Sequence, residues 1–260
     1  SKVLNKEMRP KKQRKCAVII NCGDLPRHVE NVSFAYEILT KNLEIDPHDI
    51  YILDSNRNLS YSVSDSSTRK GIFSVFDKLG KVYEPSLFFI YVTGHGDKGI
   101  IEREQNEYVV NCITDKGNKN IYSLDRLPIG KSVGELATII SLNGPVIVDC
   151  EFKDLLSKVN SRQTVALFDQ CFGGGFSKVC GSDTCIAISG STINQFSYAN
   201  FFPRVFFDSF TYEKADCNPN DGRISIGEAF DEASQYSKRE SCQLQTPVIN
   251  GKNPYEVFLR

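Results

Sequence analysis

Along this chain, apolar runs of strand length alternate with stretches whose apolar residues recur every three or four positions. "CAVIINCG" (16–23), "DIYILDS" (49–55) and "SLFFIYV" (86–92) read as strands one to three. Between them, "VENVSFAYEILTKNL" (29–43) gathers Val29, Val32, Ala35, Tyr36 and Leu39 on one helical face, and "GIFSVFDKLG" (71–80) predicts a second helix. The third strand is apolar on both faces, as a parallel strand buried between helical layers must be. Residues 100–145 break the rhythm. There "EYVVNCIT" and "NIYSL" flank the turn-rich "DKGNKN", which predicts a β-hairpin inserted over the sheet. The alternation then resumes: "EFKDLLSKVN" predicts a helix, "TVALFD" and "TCIAISGS" strands four and five, and "YANFFPRVFFDSF" and "SIGEAFDEASQYS" two closing helices. The expected architecture is α/β, a mostly parallel central sheet with helices on both faces. In such sheets functional residues gather at the carboxyl ends of the strands.

Composition adjusts this picture in three ways. A chain of 260 residues with 40% hydrophobic content suits one domain, expected over 16–260, preceded by a flexible basic tail over 1–15. That tail carries seven Lys or Arg against Glu7 alone, although the whole chain has a net charge of −1. It lacks the interleaved aromatics or apolar face expected for a nucleic-acid or membrane-surface partner, and no apolar run approaches membrane-spanning length. Nine cysteines, several of them (Cys16, Cys22, Cys112, Cys150) in or beside apolar strand-like stretches, suit reduced core thiols in a cytoplasmic or other reducing compartment. Oligomeric state has no signature in the sequence.

The chemistry lies at two strand ends. "FFIYVTGHG" delivers His95 followed by Gly96, and "ALFDQCFGGGF" delivers Cys171 followed by three glycines. If the two strands are parallel neighbours, these residues meet at one edge. A thiol near pKa 8.5 is mostly protonated at neutral pH, so a nucleophilic Cys171 needs an imidazole, and His95 is the candidate. The backbone N–H groups of Gly96 and Cys171 could stabilise the oxyanion of an attacked carbonyl. Of the other histidines, His48 in "DPHD" reads as a surface residue, and His28 as either a helix-start or a pocket-wall residue. Asp97 could contact the histidine or cap a turn. No CxxC pair or HExxH spacing supports zinc.

"FIYVTGHGD" and "LFDQCFGGG" resemble the His-Gly and Cys motifs of the caspase-like cysteine peptidases, and "AVIINCG", "RHVENVSFAYEIL" and "SGSTINQFSYA" are similar in order and spacing to the legumain family. The resemblance implies a caspase-like fold and a cysteine endopeptidase in which His95 and Cys171 are catalytic and Gly96 is an oxyanion donor. It further implies a pocket for the side chain preceding the cut, formed by Arg27, Asp169, Ser189 and the stretch through Ser197. The acid of that pocket is usually glutamate in legumains and aspartate in relatives that cut after Arg or Lys. Asp169 offset by Arg27 suits a neutral amide such as Asn, and Asp169 unpaired suits a cation. The asparagine that orients the histidine in legumains has no counterpart in "DLPRH", which leaves the orienting group unassigned.

Hydrolysis by this route needs no cofactor and takes a protein or peptide substrate. The same thioester could be resolved by an amine, making a transpeptidase, and a non-catalytic scaffold or binding module on the same fold is the third reading. "DCNPNDGRISIGE" (216–228) resembles a calcium loop whose register is off by one residue, so a lengthened calcium site and a polar turn capping the next helix both fit.

Overall fold

The computed structural model describes residues 14–56, 61–113, 119–140, 144–198, 200–211, 215–216 and 221–259. Most of the expected basic tail and residues 217–220 of the candidate calcium loop lie outside the described residues. The fold is α/β. Its central sheet contains β1 (Cys16–Cys22), β2 (Ile50–Leu53), β3 (Phe88–Gly94), β9 (Thr164–Asp169), β10 (Cys185–Ser189) and β11 (Val248–Asn250), in the order β11-β10-β9-β3-β1-β2. All pairings are parallel except that of the short edge strand β11 with β10.

Alternation along each central strand divides the core in two. Ala17 and Ile19 of β1, Phe89 and Tyr91 of β3, and Val165 and Leu167 of β9 pack with α1 (Pro26–Lys41), α4 (Phe201–Asp208) and α5 (Ile226–Glu240). Their sequence neighbours Val18, Ile20, Phe88, Ile90, Ala166 and Phe168 pack on the other face with α2 (Arg69–Val82) and α3 (Asp149–Ser157). A strand with apolar residues at both parities therefore has helices on both sides, as the unbroken run "FFIYV" required. The helix starts follow local chemistry: Thr68 caps α2 by accepting from the Gly71 N–H, and Ser225 caps α5 in a reciprocal box with Glu228. Arg69 and Glu151 form a buried bidentate pair joining α2 to α3.

Residues 96–148 build more than the expected hairpin. β4 (Gly96–Glu104), β5 (Glu107–Ile113), β6 (Lys119–Leu124), β7 (Leu136–Ile140) and β8 (Ile147–Val148) form a second, antiparallel sheet in the order β6-β5-β4-β7-β8, over its own small core around Ile101, Val110 and Ile139. The β5–β6 pair contains the two predicted β-prone pieces. β4 was hard to foresee because "GDKGIIERE" is charged and holds two glycines. It is strand because β5 and β7 both pair with it, and a Cβ on Gly99 would meet the Asn111 carbonyl oxygen at 2.4 Å. Gly94, at φ +129°, turns the chain out of the central sheet, and Gly96 opens the second one. His95 is the single residue between the two sheets.

Cys16, Cys22, Cys112 and Cys150 are free thiols, as read from the sequence. Cys180 and Cys185 depart from that reading and form a disulfide, because the short loop between them holds their Cα atoms 5.2 Å apart. Among the described residues no helix is long and apolar enough to cross a membrane.

Candidate active site

The strand register brings the two predicted residues to one edge. β3 and β9 are direct parallel neighbours, with Val92 opposite Phe168 and Thr93 opposite Asp169. Two residues beyond that last pair, each chain reaches its candidate: His95 on one, Cys171 on the other. Contact at the edge is close, since a Cβ on Gly96 would lie 2.6 Å from the Cys171 carbonyl oxygen and 2.8 Å from the Gln170 side-chain nitrogen. Only glycine fits there, so the Gly96 backbone lies against the Cys171 carbonyl.

β1 lies on the other side of β3, with Cys22 opposite Gly94. Asp24 emerges from its end and places Oδ1 3.1 Å from His95 Nε2. A carboxylate only accepts hydrogen bonds, so Nε2 donates and neutral His95 carries its lone pair on Nδ1. Contact with His95 draws the Asp24 carboxyl below its ordinary pKa. His95 is half exposed, with 48% of its side-chain surface accessible, and Asp24 is more open still at 81%. Asp24 is thus the carboxylate that meets His95, at the place where the sequence left an orienting group unassigned. Its signal was an acid at a strand end, three positions before the Arg27-His28 pair.

His28 occupies the first turn of α1 and is buried (3% exposed), its ring edge-on to that of His95 at 5.1 Å between centroids. Arg27 Nε donates to His28 Nε2 at 3.3 Å. Burial, then the neighbouring His95 and Arg27, push the His28 pKa down to about 4, so the ring is neutral at physiological pH. Both expectations for His28 meet in this position, at a helix start and against the site.

β9 ends at Asp169, which is 5% exposed. Its carboxylate accepts from Ser197 Oγ at 3.0 Å and from Asn31 Nδ2 at 3.4 Å. Burial raises its pKa to about 6, opposed by the hydrogen bond from Ser197 and by the charge of Arg27. Ser189, in contrast, has no exposed surface and donates to the Ser191 carbonyl oxygen at 2.9 Å, so Ser197 is the serine that faces the acid. Asp97 accepts from the Lys98 N–H and from Tyr122 Oη, tying β4 to β6.

Cys171 is partly buried, and burial raises its thiol pKa, with Asp169 and Asp97 adding to the effect while the Ser197 backbone N–H and Arg27 oppose it. The resting sulfur is a thiol rather than a preformed thiolate. The three glycines that follow Phe172 allow close packing. A Cβ on Gly173 would meet Ser189 Oγ at 2.4 Å, one on Gly174 the Ile193 nitrogen at 2.6 Å, and one on Gly175 Thr138 Oγ1 at 1.9 Å. They let β10, its following loop and β7 close around the turn after Cys171.

The described part of the candidate calcium loop is occupied by its own hydrogen bonds. Asp216 accepts from the Asp221 and Gly222 N–H groups, and Glu228 accepts from Ser225 as the cap of α5. No cluster of three or more metal-ligating side chains occurs among the described residues.

The arrangement offers a thiol, an imidazole hydrogen-bonded to a carboxylate, glycine backbone against the thiol's residue and a buried acid nearby. A scan against protein-family models finds no match for this chain, and a search of curated proteins finds none either.

Proposed function

We propose that this chain is a cysteine endopeptidase of the caspase-like group, closest to the legumain family, with Cys171 as nucleophile and His95 as acid and base. The observation that carries the reading is the convergence of His95 and Cys171 two residues beyond the Thr93–Asp169 register pair, with Asp24 on the imidazole. When a peptide carbonyl arrives, the Cys171 proton passes to His95 Nδ1 and the sulfur attacks, giving a tetrahedral oxyanion near the Gly96 and Cys171 N–H groups. Collapse breaks the C–N bond, and His95 returns the proton to the departing amine. Water then adds to the thioester with His95 as base, releasing the acid and the Cys171 thiol.

The pocket favours a neutral amide at the cut position. Asp169 already accepts from Ser197 and Asn31 and feels the charge of Arg27, so it presents a dipolar wall that offers an Asn side chain both acceptor and donor groups. A lone cation would meet Arg27 as well as Asp169. Fluorogenic peptides with Asn, Asp, Arg and Lys at the cut position test this. The expected order places Asn first by about tenfold or more, and cleavage confined to the Arg and Lys members would reverse the pocket assignment.

A further inference from the structure

Immediately after the nucleophile stands Phe172, whose backbone is left-handed at φ +59°. A bulky residue is disfavoured there, and glycine, which fills the next three positions, would adopt it without strain. The phenyl ring is nevertheless kept, and not for the core. It lies against Phe196 at 5.0 Å between centroids, and Phe196 is 40% exposed. The ammonium of Lys98 sits 5.3 Å from the Phe172 centroid and is held there by Asn194 Oδ1 at 2.6 Å. The Phe172 N–H donates to the Gln195 carbonyl oxygen, which locks the ring to the loop carrying Phe196 and Ser197.

We propose that Phe172 and Phe196, capped by Lys98, form an apolar subsite for the first side chain of the segment that leaves, so that the enzyme selects a large apolar or aromatic residue directly after the cut. This rests on the peptidase reading above. The side follows from position. His95 must face the departing amine, and β4 continues from His95 and Gly96 to Lys98, whose ammonium covers the Phe172 ring. The pocket for the preceding side chain lies beyond Ser197, toward Asp169. The exposed part of Phe196, tilted at 57° to Phe172, is the apolar surface a third group would meet. The strained backbone at Phe172 is retained because relieving it with glycine would remove one wall.

Internally quenched peptides that share Asn at the cut position and carry Phe, Leu, Ala, Asp or Lys after it test the subsite, read as kcat/KM for the wild type, Phe172→Gly and Phe196→Ala. Phe172→Gly fits the left-handed backbone, and Phe196→Ala alters an exposed side chain, so both variants fold. Alkylation of wild-type Cys171 by a peptide electrophile is measured in parallel. The expected result is a wild-type preference for Phe and Leu over Ala of about tenfold that falls to about twofold or less in each variant. Cleavage without that preference, or a preference that survives both substitutions, overturns the subsite and leaves the peptidase reading standing. Absence of both cleavage and Cys171 alkylation in the wild type overturns the peptidase reading and the subsite with it.

Discussion

The two ends of the central sheet carry different chemistry on the same strands. At the amino ends the chain is stitched by backbone hydrogen bonds, Cys16 N–H to Leu87, Phe88 N–H to Gln163 and Thr164 N–H to Thr184. A cleft of about 400 Å³ lies there, lined by Lys153, Asn160, Ser161, Thr164, Ser182 and Cys185 among others, with Lys153 its one formally charged side chain. At the carboxyl ends, the elements leaving β1, β3 and β9 bring together Asp24, Arg27, His28, His95, Asp169 and Cys171. The cleft and the cluster of groups that perturb one another therefore lie at opposite ends of the sheet, and it is the cluster that the proposed chemistry uses.

Substitutions at the two ends sharpen that contrast. His95→Ala should lower kcat by about 10²- to 10⁴-fold, because no other imidazole reaches the reacting edge in the same orientation, whereas Lys153→Ala at the amino end should stay within about twofold. Comparable losses from both would erase the distinction.

Asp169→Asn probes the buried acid through stability. The folded-state pKa of about 6 lies above the usual carboxylate value of 3.8, so the stabilisation from holding the proton is fully present below about pH 4 and is lost as pH rises through 6. Relative to the variant, the wild type should lose up to about 3 kcal/mol between pH 4 and 7, read by chemical denaturation across that range. His28 works in the opposite sense. Its pKa is depressed from 6.5 to about 4, so its contribution is present above 6.5 and lost as pH falls through 4. It is common to both proteins and cancels in the comparison. Parallel stability curves would mean that Asp169 does not titrate in this window.

Among the residues of the site, the smallest expected effect is at Asp24. It is open to solvent, so its attraction for His95 is screened and its value lies in orientation. Asp24→Ala should reduce kcat by about tenfold with little change in KM, and Asp24→Asn should recover part of that loss through its side-chain oxygen. A change confined to KM would assign Asp24 to substrate binding instead.

Much of the fold was legible because each central strand states its environment locally: "FFIYV" is apolar at both parities and lies between two helical layers. The second sheet was legible only as a hairpin, because β4 is charged and glycine-rich and takes its strand form from partners more than 30 positions away in β7. That His95, Gly96 and Cys171 fall at one edge of the sheet was readable from strand-end position. Asp24 was not assigned, since its contact depends on β1 and β3 being neighbours, and that pairing is a property of the whole sheet. Ser189 was placed in the pocket by the family resemblance alone, yet its side chain turns inward to Ser191, which strand alternation without tertiary context could not reveal.

The central claim is that Cys171 is a nucleophile served by His95, and covalent labelling tests it most directly. An Asn-containing peptide electrophile is reacted with the folded protein and the adduct is located by peptide mapping, with exposed Cys242 as the internal reference. The account predicts an adduct on Cys171 that forms faster than on Cys242 and is slowed strongly by His95→Ala. An unmodified Cys171 alongside a labelled Cys242 in the same folded sample would contradict it.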